Sequence, residues 1–174
     1  MKITGRNIKR RLYGLSTLPS NLKRARYFRG HGVHSPYVYA LVRQVFMRSS
    51  FIGEERTLYN DLLERGVAER RAVQLQNVME HCRYASYRID CPLQQIKGHD
   101  MVIATVATAA MTLAEMADKA REAGVTLCIL SPALDRERDM ACRKIVEAHP
   151  STSVDNRGYL LLFNNHLPKQ KFRL

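Results

Sequence analysis

No aspartate or glutamate occurs in the first 53 residues of this chain, although that stretch carries 11 lysines and arginines. The rest is close to neutral, so nearly all of the formal net charge of +12 belongs to the N-terminal segment. So lopsided a field attracts a polyanion or an acidic surface, whatever fold stands behind it. Tryptophan is absent, and the four cysteines, Cys82, Cys91, Cys128 and Cys142, are irregularly spaced without a C-x-x-C pair. This spacing argues against a disulfide framework and a cysteine zinc site, and it predicts reduced thiols in a cytoplasmic protein. Long apolar runs are lacking too. The most apolar stretch, Met101 to Met116, is shorter than the roughly 20 residues of a membrane-spanning helix and is interrupted by threonines. The Arg-rich start has neither an apolar h-region nor a cleavage-like site, and it is read as part of the mature protein.

What is present suits one substantial core: 174 residues, 45% of them apolar. Two composition zones divide the chain, a basic helical arm or cap over 1–53 and an α/β core over 54–174. Helices are expected over Ile3 to Leu15 and Asn21 to Arg29, separated by Thr17, Pro19 and Ser20. Ser35 suits an N-cap and Pro36 the first helical position, where its missing N–H costs nothing. In the helix that follows, Val38, Leu41, Val42, Val45 and Phe46 share one face, with Arg43 and Arg48 pointing outward. Further helices are predicted over Glu54 to Leu63 and Ala68 to Cys82.

The hydrophobic period then changes. Ala85 to Asp90, Met101 to Val106 and Val125 to Leu130 read as strands, with helices over Leu113 to Ala123 and Arg136 to His149 and a hairpin around Asn156-Arg157-Gly158. Strands alternating with helices predict a mostly parallel sheet covered on its faces and closed by an antiparallel hairpin.

Several side chains are candidates for chemistry. Asp90 and Cys91 follow a predicted strand, where the ligands of open α/β sheets gather, although a loop aspartate bonding nearby amides is the plainer expectation. His31 and His34 lie three apart in a turn with no third ligand near, so capping the next helix is expected of them rather than metal binding. Asp135, Glu137 and Asp139, alternating with Arg136 and Arg138, read as solvated charges that complement a helix dipole. His99-Asp100 reads as a turn leading into a strand, and Cys128 as packing. In the basic arm Lys9, Arg10, Arg11, Lys23, Arg24, Arg26 and Arg29 are interleaved with Tyr13, Tyr27, Phe28, Tyr37 and Tyr39. Cations beside rings are what phosphate contact and base stacking require.

The segment Arg29-Gly30-His31-Gly32-Val33-His34-Ser35-Pro36-Tyr37-Val38-Tyr39 and the close Tyr159-Leu160-Leu161-Leu162-Phe163, with Leu167-Pro168-Lys169-Gln170, resemble the two ends of small bacterial S-adenosylmethionine-dependent methyltransferase-like proteins. Between them, Asp100-Met101-Val102-Ile103 resembles the fourth strand of that Rossmann-type fold, and Val125 to Leu130 its fifth. The resemblance implies a methyltransferase-like sheet with an antiparallel C-terminal hairpin, in a reduced form. Neither the glycine-rich turn after the family's first strand nor the ribose-binding acid after its second is visible. Only nine residues separate Asp90 from Asp100, too few for two strand–helix units. Tyr87 to Asp90 is therefore either the first strand, with the middle of the fold deleted, or the third, with the first two missing. Either register removes the cofactor cradle, so no catalytic residue and no cofactor are expected.

The expectation is a non-catalytic binding or assembly module. Its basic face would meet nucleic acid or another acidic partner, and it would dimerise through the sheet edge left by the missing strands. The alternative is a methyltransferase whose S-adenosylmethionine site is completed by another chain.

Overall fold

The computed structural model describes residues 12, 13, 15, 33–164 and 167–174. The two helices expected at the start of the chain lie almost wholly outside these residues, though Leu12, Tyr13 and Leu15 are helical. Five helices follow: α1 (Pro36–Leu41), α2 (Thr57–Glu64), α3 (Glu69–Cys82), α4 (Leu113–Ala123) and α5 (Arg136–Ala148). Six strands, β1 (Tyr87–Ile89), β2 (Met101–Ala104), β3 (Thr126–Leu130), β4 (Ser153–Asp155), β5 (Tyr159–Leu162) and β6 (Lys171–Arg173), form one mixed sheet. The strand order is β1-β2-β3-β5-β4-β6. β1, β2 and β3 run parallel, β5 lies antiparallel to both β3 and β4, and β6 pairs parallel with β4.

The strands read as continuous apolar runs because both faces of the sheet are covered. Met101, Ile103, Cys128, Leu130 and Leu161 point into one cluster with α1, α2 and α3. Val102, Ala104, Leu127, Ile129, Leu160 and Leu162 point into the other, against α4 and α5. Register sets this division, since successive strand residues alternate faces. All five apolar residues expected on one face of the first amphipathic helix are at most 1% exposed. This element therefore belongs to the same core as the strands, although it lies on the basic side of Gly53.

Ser35 caps α1 by accepting from the Val38 amide, with Pro36 at the first helical position, as its sequence predicts. The helix then widens into a π turn over Val42–Phe46, in which the Met47 amide reaches the Val42 carbonyl five residues back. The Phe46 carbonyl is taken instead by the buried Gln74 side chain at 2.7 Å. Asn77 beside it accepts from the Ile52 amide and donates to the Ser50 carbonyl, both at 2.9 Å. Gln76 accepts from the Tyr59 amide at 3.1 Å. The polar side of α3 thus pins the loop after α1 and the start of α2 through amide pairs, which satisfies buried groups that would otherwise cost free energy.

The sheet departs from expectation at one edge. The hairpin of β4 and β5 was expected to close it, but β6 adds a further strand, with Leu174 2% exposed and its amide bonded to the Asp155 carbonyl. At the other edge β1 has no outer neighbour among the described residues. The β1–β2 connection holds only a short 3₁₀ turn, Leu93–Gln95, where a full helix usually crosses over.

Candidate functional site

Open α/β sheets bind ligands outside the carboxyl ends of their strands, and Asp90 and Cys91 lie there, just past β1. Asp90 takes a left-handed backbone, φ 49°, and its amide continues the ladder to the Ile103 carbonyl at 2.9 Å. Its carboxylate accepts from the Thr105 amide at 2.7 Å and from the Thr105 and Thr108 hydroxyls, both at 2.6 Å. Asp90 thus folds the loop after β2 around itself, as a loop aspartate bonding nearby amides would. Cys91 is half-buried, and that burial pushes its thiol above the ordinary range, which favours the protonated and less nucleophilic form. Together with Pro92, Leu93, Thr108 and Met116 the pair lines a depression of about 250 Å³.

The residue that decides the character of this end is Arg138, one turn into α5. Asp135 caps the helix by accepting from the Arg138 amide at 2.9 Å. That places the Arg138 side chain over the ends of the strands, where it is 3% exposed. Its Nη2 donates to the carbonyls of Thr105 at 2.8 Å and Leu130 at 3.1 Å, and Nε donates to Leu130 at 3.2 Å. Nη1 donates to the Thr108 carbonyl at 2.8 Å. One guanidinium therefore ties the end of β3 to the loop that Asp90 organises. Burial lowers the Arg138 pKa, against the opposing charges of Asp135 and Asp90, yet an arginine remains protonated. The expectation of a solvated charge at Arg138 is corrected: the helix cap aims it inward, and the free carbonyls at the strand ends hold it there.

Asp139 is corrected in the same way. It is 8% exposed and accepts from Arg143 through Nε at 3.1 Å and Nη2 at 2.8 Å. The Tyr13 hydroxyl also donates to it. Burial raises the Asp139 pKa, but the Arg143 and Tyr13 hydrogen bonds and the Arg143 charge outweigh that and hold it below the usual value.

The basic candidates Lys9, Arg10, Arg11, Lys23, Arg24, Arg26, Tyr27 and Arg29 lie outside the described residues, as does His31. Of the interleaved rings that are described, Tyr13 is engaged with Asp139. Tyr37 packs edge-on against Phe163 at 5.4 Å, with its hydroxyl 3.3 Å from Cys82 Sγ. Tyr39 is 47% exposed. His34 is exposed, and among the described residues no three His, Cys, Asp or Glu side chains gather as a metal site would need. Asp100 clamps the start of β2, accepting from the Ala85 amide at 2.8 Å and the Ser86 amide at 2.9 Å. Cys128 is fully buried, as packing requires.

No helix among the described residues is long and apolar enough to cross a membrane. Comparison with protein-family models, with curated proteins and with solved structures finds no match for this chain.

Proposed function

We propose that this chain is a non-catalytic binding module derived from a methyltransferase-like fold, and that its acid-free N-terminal segment engages nucleic acid. Arg138 carries the non-catalytic half of this reading. A nucleotide cofactor would lie against the carboxyl ends of the strands, and there the guanidinium occupies the Leu130, Thr105 and Thr108 carbonyls. Asp90 is committed to three donors in the same place. The depression left beside them, about 250 Å³, falls short of the roughly 300 to 1,000 Å³ typical of small-molecule sites. The residues present do not fit S-adenosylmethionine.

The strand order supports the proposed origin. In the doubly wound order 3-2-1-4-5 the first strand neighbours the fourth, and β1 here lies parallel beside β2. That favours reading Tyr87–Ile89 as the first strand, with the second and third gone. β1 is then the edge their loss leaves, and a second copy of the chain pairing there would cover it.

The binding half rests on charge. Each phosphate neutralised by a lysine or arginine releases counterions, so affinity for single strands falls with log salt at a slope of about −0.7 per contact. Fluorescence anisotropy with a labelled single-stranded oligonucleotide, from low to physiological salt, is the test. Binding that weakens steeply with salt and is lost in a Lys9→Ala, Arg10→Ala, Arg11→Ala variant is expected. Absence of binding at low salt, or a salt-independent affinity, would overturn it. Calorimetric titration with S-adenosylmethionine should show no affinity beyond that of adenosine alone, and saturable binding that requires the methionine part would restore the enzyme reading.

A further inference from the structure

A recess of about 590 Å³ opens at the opposite end of the sheet, by the amino ends of β2 and β3. Its volume lies within the range of sites that hold small organic ligands. Flat groups form part of its wall: the Tyr37 and His81 rings lie 6.4 Å apart, tilted by 51°, and Tyr84 stands on the same lining. Both tyrosines are fixed. The Tyr37 hydroxyl is held by Cys82, and that of Tyr84 lies 2.6 Å from Thr126 Oγ1.

The polar part of the lining is selective. Asp100, its one carboxylate among the described residues, is spent on Ala85 and Ser86. Arg83, exposed and left-handed at φ 56° where α3 ends, contributes a guanidinium with no ion pair among the described residues. His99 adds a buried Nδ1 without a hydrogen-bond partner among the described residues. The C-terminal ends of α3 and α4 meet here at Arg83 and Gly124, and their dipoles disfavour a compact anion lying deep in the recess. A flat, uncharged, polar-edged heterocycle satisfies all of these conditions, with rings for its faces and donors for its edge.

We infer that this recess holds a nucleobase, its face against Tyr37, His81 and Tyr84 and its edge toward Arg83. Arginine forks pair with the two acceptors of a guanine edge, which makes guanine the preferred base. The nature of the ligand rests on the nucleic-acid reading above; the recess itself does not. The base arrives either on a free mononucleotide or as an unpaired base of a bound strand.

Amide chemical shifts of Gly98 and Gly124, both on the lining, test this on the full chain. Guanosine 5′-monophosphate should move both amides with saturation near or below about 1 mM, cytidine 5′-monophosphate more weakly, and inorganic phosphate not at all. Arg83→Ala should weaken guanosine binding by about tenfold or more, whereas Met111→Ala, 81% exposed and outside the recess, should leave it unchanged. Guanine-containing and guanine-free oligonucleotides separate the two sources: a difference between them that Arg83→Ala abolishes identifies a base within a strand. Equal oligonucleotide affinities with saturable monophosphate binding identify a free nucleotide. Silence of both amides, an equal response to inorganic phosphate, or unaltered binding in Arg83→Ala would overturn the inference. Failure of the polyanion reading is distinguishable, because monophosphate binding should survive loss of Lys9, Arg10 and Arg11.

Discussion

The Arg138 guanidinium and the Thr105 carbonyl oxygen stand 2.8 Å apart at the carboxyl end of the sheet, joined by the same side chain to Leu130 and Thr108. Hydrogen bonds to a charged group each contribute about 1.5 to 3 kcal/mol, and an orphaned buried carbonyl adds its own desolvation cost. Arg138→Ala should therefore lower unfolding stability by about 3 kcal/mol or more, and Arg138→Lys, which keeps the charge without the fork, by less. Urea unfolding measures both. A loss below about 1 kcal/mol for alanine would mean that the guanidinium is not what ties these loops together.

Asp90 and Cys91 are adjacent in sequence and unequal in structure. Asp90→Ala removes the acceptor of three hydrogen bonds at a left-handed backbone position, for a cost of about 2 to 3 kcal/mol. Cys91→Ala, at a half-buried thiol, should stay within about 1 kcal/mol of the wild type. Equal effects in thermal unfolding would show that the threonine loop does not depend on Asp90.

Acid should weaken the fold through its histidines. Burial lowers the His149 pKa below 6.5, and the Arg121 and Lys169 charges lower it further, against hydrogen bonds to Phe163 and Thr152 that raise it. Burial also lowers the His81 pKa below 6.5. With folded-state pKa values depressed, the unfolded chain binds protons first. Stability is then fully present above pH 6.5 and is lost as pH falls from there through the folded-state values. His149 Nε2 lies 3.1 Å from the Phe163 carbonyl, which can only accept, so this nitrogen carries the proton. His149→Gln keeps a donor but cannot titrate, and it should flatten the slope of stability between pH 7.5 and 5.5. An identical slope in the variant would assign the effect elsewhere.

Tyr13 joins the basic segment to α5 through Asp139. Tyr13→Phe removes the hydroxyl that meets Asp139 and Arg143 but keeps the pair between them, whereas Asp139→Asn weakens that pair as well. Limited trypsin digestion at Arg10 and Arg11 should accelerate in both variants, and only Asp139→Asn should show a clear fall in global stability. Cleavage at the wild-type rate in Tyr13→Phe would show that the contact does not hold the segment.

The buried strands were readable because Met101–Ala104 and Thr126–Leu130 are apolar on both faces, and α5 because Asp135 and Pro150 frame it. α2 starts at Thr57 and not at Glu54, because Glu55 folds back to accept from the Arg56 and Thr57 amides at 2.8 Å, which keeps these residues in a turn ahead of the N-cap Arg56. β6 escaped because Lys171-Phe172-Arg173 is too short for alternation to stand out. The role of Arg138 escaped for a different reason. Its sequence context, charges alternating at a helix start, is that of a solvated face, and only the carbonyls of β3 and the loop after β2, distant in sequence, draw it inward.

Joining β1 to β2 by a single 3₁₀ turn, with Ile96 packed beneath it at 1% exposed, shortens the chain that must close before the two strands meet. Closure entropy grows with loop length, and contacts close in sequence form soonest. Among the parallel pairs this one closes the shortest loop, so β1 and β2 are placed to meet early alongside the β4–β5 hairpin, and β6, whose partner β4 must first be placed against β5, is the piece to arrive last.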